Sequence, residues 1–351
     1  MTHCPPGAVR VDAFASVTSR LALSNPVPLA DACAADPGTV VIVRALGENP
    51  RYPELETTDG SCVPVRRGRI IAGALGSRQA LRGFVGHPPA TLARGDRLHL
   101  LNLGGVIGRC VDAARDMGEA IPVEVLGCAG RDGRIINIRD AALPEVHRLG
   151  TTAPIVLVLG SCMSVGKTTA TLEIIRALAQ RGMKVGAGKV SGVACLRDTR
   201  RMQEAGACAA YNFVDCGMAS TAGADDLSSV ARRIAKRLDA DGVDAMVIEL
   251  GDGLLGHYGV AGVLDDRKLI ANVGAVVFCA SDLVSAWGGR ELLARRGLRI
   301  DVVSGPATDN MAGSSYIEAE LGLPAANGLT EPGKLAGILA ARLEKLVRVH
   351  A

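Results

Sequence analysis

Aromatic residues are scarce, 3% of the 351-residue chain, with a single Trp. Base-stacking platforms need such rings, so a single-strand nucleic-acid binder is not expected. Charge of one sign is also missing: Lys+Arg 39 against Asp+Glu 36 leaves +3. That is too little to predict a nucleic-acid partner from bulk electrostatics. The longest apolar runs, such as Ile155–Leu159 and Ala275–Ala280, fall far short of the ~18 residues a bilayer requires, so no membrane association is predicted. Leu21–Leu29 is broken by Asn25, Pro26 and Pro28, which argues against a signal peptide. Ten cysteines are present, at 4, 33, 62, 110, 128, 162, 195, 208, 216 and 279, and no two have the Cys-x-x-Cys spacing. Without a zinc or disulfide pattern they read as free, buried thiols in a reducing cytosol, and a cytoplasmic protein is expected.

Lysine is absent from residues 1–150; all seven lie in 151–351. The two stretches also differ in period. In the first, short β-rich runs follow one another: Thr39–Val43, Arg69–Ala74, Ala80–Val85, Arg97–Leu101, Pro122–Leu126 and Arg134–Ile138. Turn signals punctuate them at Gly95-Asp96 and Arg131-Asp132-Gly133. An antiparallel sheet or small barrel is predicted for 1–150, after an irregular lead-in over 1–35. In the second, apolar strands are predicted at Ile155–Leu159, Val185–Lys189, Ala245–Leu250, Ala275–Ala280 and Arg299–Ser304. Helices are predicted at Thr168–Arg181, Leu227–Leu238, Leu283–Arg296 and Pro332–Val347. Buried-type strands alternating with amphipathic helices indicate a parallel sheet covered on both faces, so the fold class is α/β preceded by a β-rich domain. The boundary is placed within Leu143–Pro154, taken as 150/151, with Pro144 and Pro154 as punctuation.

The most informative stretch is Ile155-Val-Leu-Val-Leu-Gly160-Ser161-Cys162-Met163-Ser164-Val165-Gly166-Lys167-Thr168-Thr169. An apolar strand enters a Gly/Ser turn that opens a helix, the context of a phosphate-binding loop. Turn amides and the helix N-terminus suit phosphate oxygens. Lys167 would face the β- and γ-phosphates, and the Thr168 hydroxyl would bind Mg²⁺. Five residues rather than four separate Gly160 from Gly166, and Ser161 stands where the common pattern has its first glycine. Glu249, ending an apolar strand, is a metal candidate, with Asp252 close behind. Lys189 ends the neighbouring strand and could neutralise a transferring phosphoryl group. Weaker candidates are His257, Trp287 as packing, and the small-residue stretch Asp215–Gly223.

This spacing resembles the dethiobiotin synthetase group of P-loop proteins, in which the loop also runs Gly, five residues, Gly-Lys-Thr, with Val before the second Gly. Gly188-Lys189-Val190-Ser191-Gly192 matches that group's second-lysine stretch, and Val247-Ile248-Glu249-Leu250-Gly251-Asp252-Gly253 its later acidic strand end. The ordered matches cover roughly Ile155–Ser304. The resemblance implies an ATP-dependent synthetase or ligase, with GTP as the alternative nucleotide, acting with Mg²⁺ on a small-molecule carboxylate or carbamate. It implies a Mg²⁺ aspartate after the second lysine, for which Asp198 is the nearest fit, and a base contact near Asp309 and Asn310. It also implies a homo-oligomer. Ser164 replaces the acidic residue that the group carries before the Val, so dethiobiotin synthesis itself is not predicted. Two other classes stay open: an NTPase switch or cofactor-assembly protein, and an amino-acid N-acyltransferase, because a D-glutamate N-acetyltransferase family has a similar loop.

Overall fold

The computed structural model describes residues 7–150 and 152–350, so Cys4 and Thr151 lie outside the described residues. The chain divides into two compact units: Met1–Leu143 with Val193–Arg197 and Phe213–Gly223, and Pro144–Gly192 with Asp198–Asn212 and Ala224–Ala351. The first unit ends at Leu143 and takes in two later segments, which lie beyond the division at 150/151. Polar anchors account for this. Buried Glu56 accepts from the amides of Leu196 at 2.6 Å and Arg197 at 2.8 Å. Buried Asn102 donates to Ala194 O at 2.6 Å, and Arg20 pairs with Asp215.

The main sheet of the first unit has eight strands: β1 (Ala13–Phe14), β2 (Val40–Ala45), β3 (Ile70–Leu75), β4 (Arg78–Gln79), β5 (Phe84–His87), β6 (Arg97–Leu100), β7 (Val106–Ala113) and β8 (Ile121–Cys128). Their order is β1-β3-β2-β8-β6-β7-β5-β4, and β3 also pairs with β7 in parallel, Val106 opposite Ala74 and Ile107 opposite Leu75. That extra pairing closes β3, β2, β8, β6 and β7 into a barrel-like ring, in which each of these strands is paired on both sides. Closure depends on a close approach: a Cβ on Gly73 would lie 2.4 Å from the carbonyl oxygen of Gly105. Val41, Val43, Ile71, Leu98, Ile107, Val123 and Val125 are buried here.

Two predictions for this unit need correction. The run Ala80–Val85 is a turn joined to β5, not one strand. The eight-residue β7 was not anticipated, because Gly104-Gly105 and Gly108 interrupt its pattern. Gly108 has a packing reason: a Cβ there would come within 2.8 Å of His87 O.

The second unit is built on a six-stranded parallel sheet, β9 (Ile155–Gly160), β10 (Val185–Lys189), β11 (Ala209–Asn212), β12 (Ala245–Glu249), β13 (Val273–Cys279) and β14 (Val302–Ser304), in the order β11-β10-β12-β9-β13-β14. Its helices are α1 (Lys167–Gln180), α2 (Arg197–Glu204), α3 (Ser228–Ala240), α4 (Val260–Asp265), α5 (Arg267–Ile270), α6 (Leu283–Ala294), α7 (Met311–Glu320) and α8 (Pro332–His350). The α/β class is thus observed, with β11, α2, α4, α5 and α7 added to the predicted elements. Short polar helices such as α2 bury little, so they leave little trace in an apolar period.

Period 2 in the strands directs the core. Val156, Val158, Val185, Ala187, Val247 and Val277 share one apolar cluster with Leu172, Ile174, Ile175 and Leu178 of α1. Burying each Val, Leu or Ile side chain of this cluster is worth ~1.5–3 kcal/mol. The chain's path reverses at β9, whose neighbours β12 and β13 belong to opposite halves of the sheet. Open α/β sheets bind ligands beyond the strand C-termini at such a switch point. Among the described residues no helix is long and apolar enough to cross a membrane.

Candidate functional site

The C-terminal end of β9 feeds directly into the glycine-containing turn. Gly160 is a packing glycine: a Cβ there would lie 2.7 Å from Val165 Cγ1 and 2.9 Å from Lys167 Cδ. The lysine's stem therefore lies over this position, and Val165 itself is buried in the core. Only the backbone of Val165 is available to a ligand. Ser164 takes a left-handed conformation, φ 58°, and Gly166 follows at φ 88° as the residue that caps α1. Glycine adopts that conformation without the steric penalty of a side chain.

The turn leaves a run of backbone donors unused. Among the described residues, none of the amides from Cys162 to Thr169 donates to a backbone or side-chain acceptor, and no side chain caps α1. The first amides of any helix lack internal acceptors. Here the run extends back through the turn, forming an anion-binding concavity. Ser161 is outside it. Its amide donates to Cys279 O at 2.9 Å, and its Oγ accepts from the Ser281 amide at 3.2 Å. Ser161 therefore contributes no unused amide to this run. In that place the serine ties the turn to the start of α6, which Asp282 and Ser285 close with a capping box. The pattern Asp282-x-x-Ser285 was a readable signal for that helix start.

Lys167 is 5% exposed, and its ammonium donates to Cys162 O at 2.7 Å and to Asp252 O. Burial pushes this ammonium below the usual lysine range, while Glu249 pulls in the opposite direction. Asp252 adopts φ 60°, which turns its carbonyl toward the lysine; burial raises its own carboxyl. The turn after β12 also closes on the loop, with Leu254 N donating to Gly160 O at 3.1 Å. Gly253 permits this, since a Cβ there would sit 2.4 Å from Ser161 O. Next to Gly160 in the ladder, the buried Cys279 thiol is pushed up to about 12 by desolvation.

Register brings the charged groups together. Lys189 on β10 and Glu249 on β12 are direct partners across parallel strands. They continue the faces of Ala187 and Val247, the side packed under α1. Glu249 is 1% exposed; its Oε1 lies 3.4 Å from Lys189 Nζ and accepts from Thr168 Oγ1 at 3.2 Å. Its Oε2 is buried with no hydrogen-bond partner. Burial works against the Lys189 ammonium, but Glu249 and Asp198 together hold it well above the usual lysine range.

The orphaned Glu249 Oε2 beside the Thr168 hydroxyl is a donor set that fits Mg²⁺. This ion is usually held by one or two protein oxygens plus substrate phosphates. No cluster of three His, Cys, Asp or Glu side chains suited to a metal occurs among the described residues. Asp198, in the first turn of α2, pairs with Lys189.

Other expectations resolve differently. Asn310 Oδ1 caps α7 by accepting from the amides of Ala312 at 3.0 Å and Gly313 at 3.2 Å, which accounts for its place in the sequence without a base contact. Asp309 accepts from buried Asn327. His257 is exposed, and so is Trp287, contrary to its reading as packing. All nine described cysteines are free, but only Cys128, Cys216 and Cys279 are buried.

No protein-family model and no curated protein matches the chain. Solved structures with some likeness include the signal recognition particle 54 kDa protein from Aeropyrum pernix K1 in complex with GDP, at 22% identity and TM-score 0.38, covering 57% of this chain and 51% of that one. The signal recognition particle receptor FtsY from Elizabethkingia anophelis is 14% identical with TM-score 0.38, covering 60% of this chain and 75% of that one. The cell division protein FtsY from Thermotoga maritima is 14% identical with TM-score 0.34, covering 57% and 74%. The chain spans about half the length of the Aeropyrum protein. Likeness at these TM-scores carries no functional weight.

Proposed function

We propose that the second unit binds the phosphate tail of a nucleoside triphosphate with Mg²⁺, and that the protein is an ATP-dependent synthetase activating a small carboxylate or carbamate. The observation that carries nucleotide binding is the run of unused amides from Cys162 to Thr169 over buried Lys167. Donors arranged this way are already paid for in the folded chain and need no reorganisation when an anion arrives. Lys167 would exchange the carbonyls of Cys162 and Asp252 for β- and γ-phosphate oxygens. The turn amides would hold the remaining oxygens, and Thr168 and Glu249 would hold Mg²⁺. The ion would supply positive charge that offsets the phosphate tail.

Lys189 favours phosphoryl transfer to an acceptor over simple hydrolysis. It is a second, strongly basic ammonium at an adjacent strand end, held between Glu249 and Asp198. In this reading Lys189 neutralises the acceptor's carboxyl and the transferring group as they approach. GTP is the alternative nucleotide.

The test is calorimetry with ATP and with GTP in magnesium buffer, followed by phosphate-release assays across a panel of small carboxylates and amines. A synthetase shows ADP release that a co-substrate stimulates. Slow turnover that no small molecule stimulates supports an NTPase switch instead. Free-thiol release from an acyl-CoA without a nucleoside diphosphate marks an acyltransferase. Absence of nucleotide binding overturns the whole reading.

A further inference from the structure

The second unit holds a cleft of about 490 Å³ that shares no residue with the phosphate turn, Lys189 or Glu249. It opens between the start of α3, the short helices α4 and α5, and His147 in the segment leading to β9. Among the described residues that line it, none carries an apolar side chain; aspartate, arginine, lysine, histidine, serine and glycine make up the whole lining. Ligand pockets of this size are ordinarily lined mostly by apolar groups. A wholly polar lining excludes an apolar guest and suits a ligand that is polar along its entire length.

The charges of the cleft differ in what already holds them. Asp266 is fully engaged: its Oδ1 caps α5 by accepting from the amides of Lys268 at 3.1 Å and Leu269 at 3.4 Å, and its Oδ2 accepts from Arg232 Nη1 at 2.6 Å. Asp265 pairs with Arg296 at 2.9 Å. Arg232 Nε donates to Val146 O at 3.3 Å, which leaves its Nη2 without a partner among the described residues. Arg267 and Lys268 are exposed, and among the described residues neither side chain has an ion pair or hydrogen bond. Asp226 accepts only from its neighbour Ser228, the amide at 2.7 Å and the hydroxyl at 2.9 Å. A carboxylate has about four lone-pair sites, so acceptor capacity remains. A Cβ on Gly262 would lie 2.1 Å from Asp226 Oδ1, so the backbone of α4 packs on this carboxylate and fixes it. The uncommitted groups are thus two cations, a spare guanidinium N–H and one carboxylate that still accepts.

We propose that this cleft binds a phosphorylated polyol, in chemical class a sugar phosphate. Arg267, Lys268 and the spare Arg232 N–H take the phosphoryl oxygens, because a guanidinium fork and an ammonium point charge both suit that group. The ligand's hydroxyls donate to Asp226, which no cation neutralises. Free inorganic phosphate offers the same charged end, but it would meet Asp226 as a like charge and leave its lone pairs unused. A hydroxylated ester satisfies both ends of the lining, and the volume exceeds what a lone phosphate fills.

The experiment is calorimetry of the full chain with glucose-6-phosphate, with glucose and with inorganic phosphate, repeated on Lys167→Ala to separate the cleft from the phosphate turn. Glucose-6-phosphate is expected to bind wild type and Lys167→Ala with the same affinity. Inorganic phosphate should bind ~10-fold more weakly, and glucose should give no heat. Arg267→Gln combined with Lys268→Gln should weaken the ester by ~30-fold or more, with each single substitution giving part of that loss. Both side chains are exposed, so the melting temperature should not change, and ATP affinity should stay as in wild type. Absence of heat from the ester at millimolar concentration overturns the proposal, as does full affinity in the double variant. Loss of ester binding in Lys167→Ala would place the ligand in the phosphate turn and overturn it too. Equal affinity for inorganic phosphate and the ester would overturn the polyol assignment. The ATP titration reads the nucleotide site separately, so the two proposals can fail independently.

Discussion

In the β-rich unit, backbone pairing closes on itself: β3 meets β7, and each strand of the ring has a neighbour on both sides. In the α/β unit, parallel strands all end at one edge, and the turn after β9 leaves the amides from Cys162 to Thr169 without acceptors. Hydrogen bonding in the first is completed by the chain. In the second it is left incomplete where the switch point falls. A ring spends its backbone donors on neighbours; an open parallel sheet leaves helix N-termini free for anions.

The largest effect that would break this contrast comes from Lys167→Ala. It should weaken ATP or GTP binding by ~100-fold or more, since about 3 kcal/mol of charge-assisted bonding is removed. Calorimetry measures this, and unchanged affinity would mean the unused amides bind no phosphate. Next, Gly73→Val should destabilise the first unit by ~3 kcal/mol or more, because its Cβ would lie 2.4 Å from Gly105 O where the ring closes. Denaturant titration reads this; a neutral outcome would show that the β3–β7 pairing is dispensable.

Asp198→Asn tests the half-buried pair with Lys189 and should cost ~1–3 kcal/mol. Its pH dependence has a defined sign. Lys189 is held above its ordinary 10.5 in the folded state. The stability from its pairing is complete below that value and is lost as pH climbs through the folded one. The gap between wild type and variant should therefore narrow at strongly alkaline pH in thermal melts. A gap constant across that range would sink the account. The smallest effect is that of Asn310→Ala, which should lower stability by ~1 kcal/mol through the lost helix cap. Nucleotide affinity should stay unchanged in calorimetry; a large loss of affinity would restore the base-contact reading.

Local signals carried much of the second unit. The run Ile155–Leu159 into Gly166-Lys167 made strand, turn and helix visible, because apolar period and glycine placement act over a few residues. Lys189 and Glu249 were readable as charges at strand ends, and the structure does bring them together with Thr168. What escaped notice were groups whose role depends on distant partners. Ser161 looked like a substitute glycine, but its hydroxyl is committed to Ser281. The pairing of the Asp198 carboxyl with Lys189 was not foreseen. The strand β7 was hidden by Gly108, a residue that only the packing against His87 and Gly76 explains.

The sequence by itself determined which segments are strands and helices around the phosphate-type turn, and which residue types stand at its mouth. Neighbouring residues settle those features through sterics and periodicity. Tertiary structure alone decided that the β-rich strands close into a ring, that Glu249 keeps one oxygen without a partner, and that Lys189 lies between Glu249 and Asp198. Each depends on contacts between distant segments, and register and burial, not local preference, set which atoms meet.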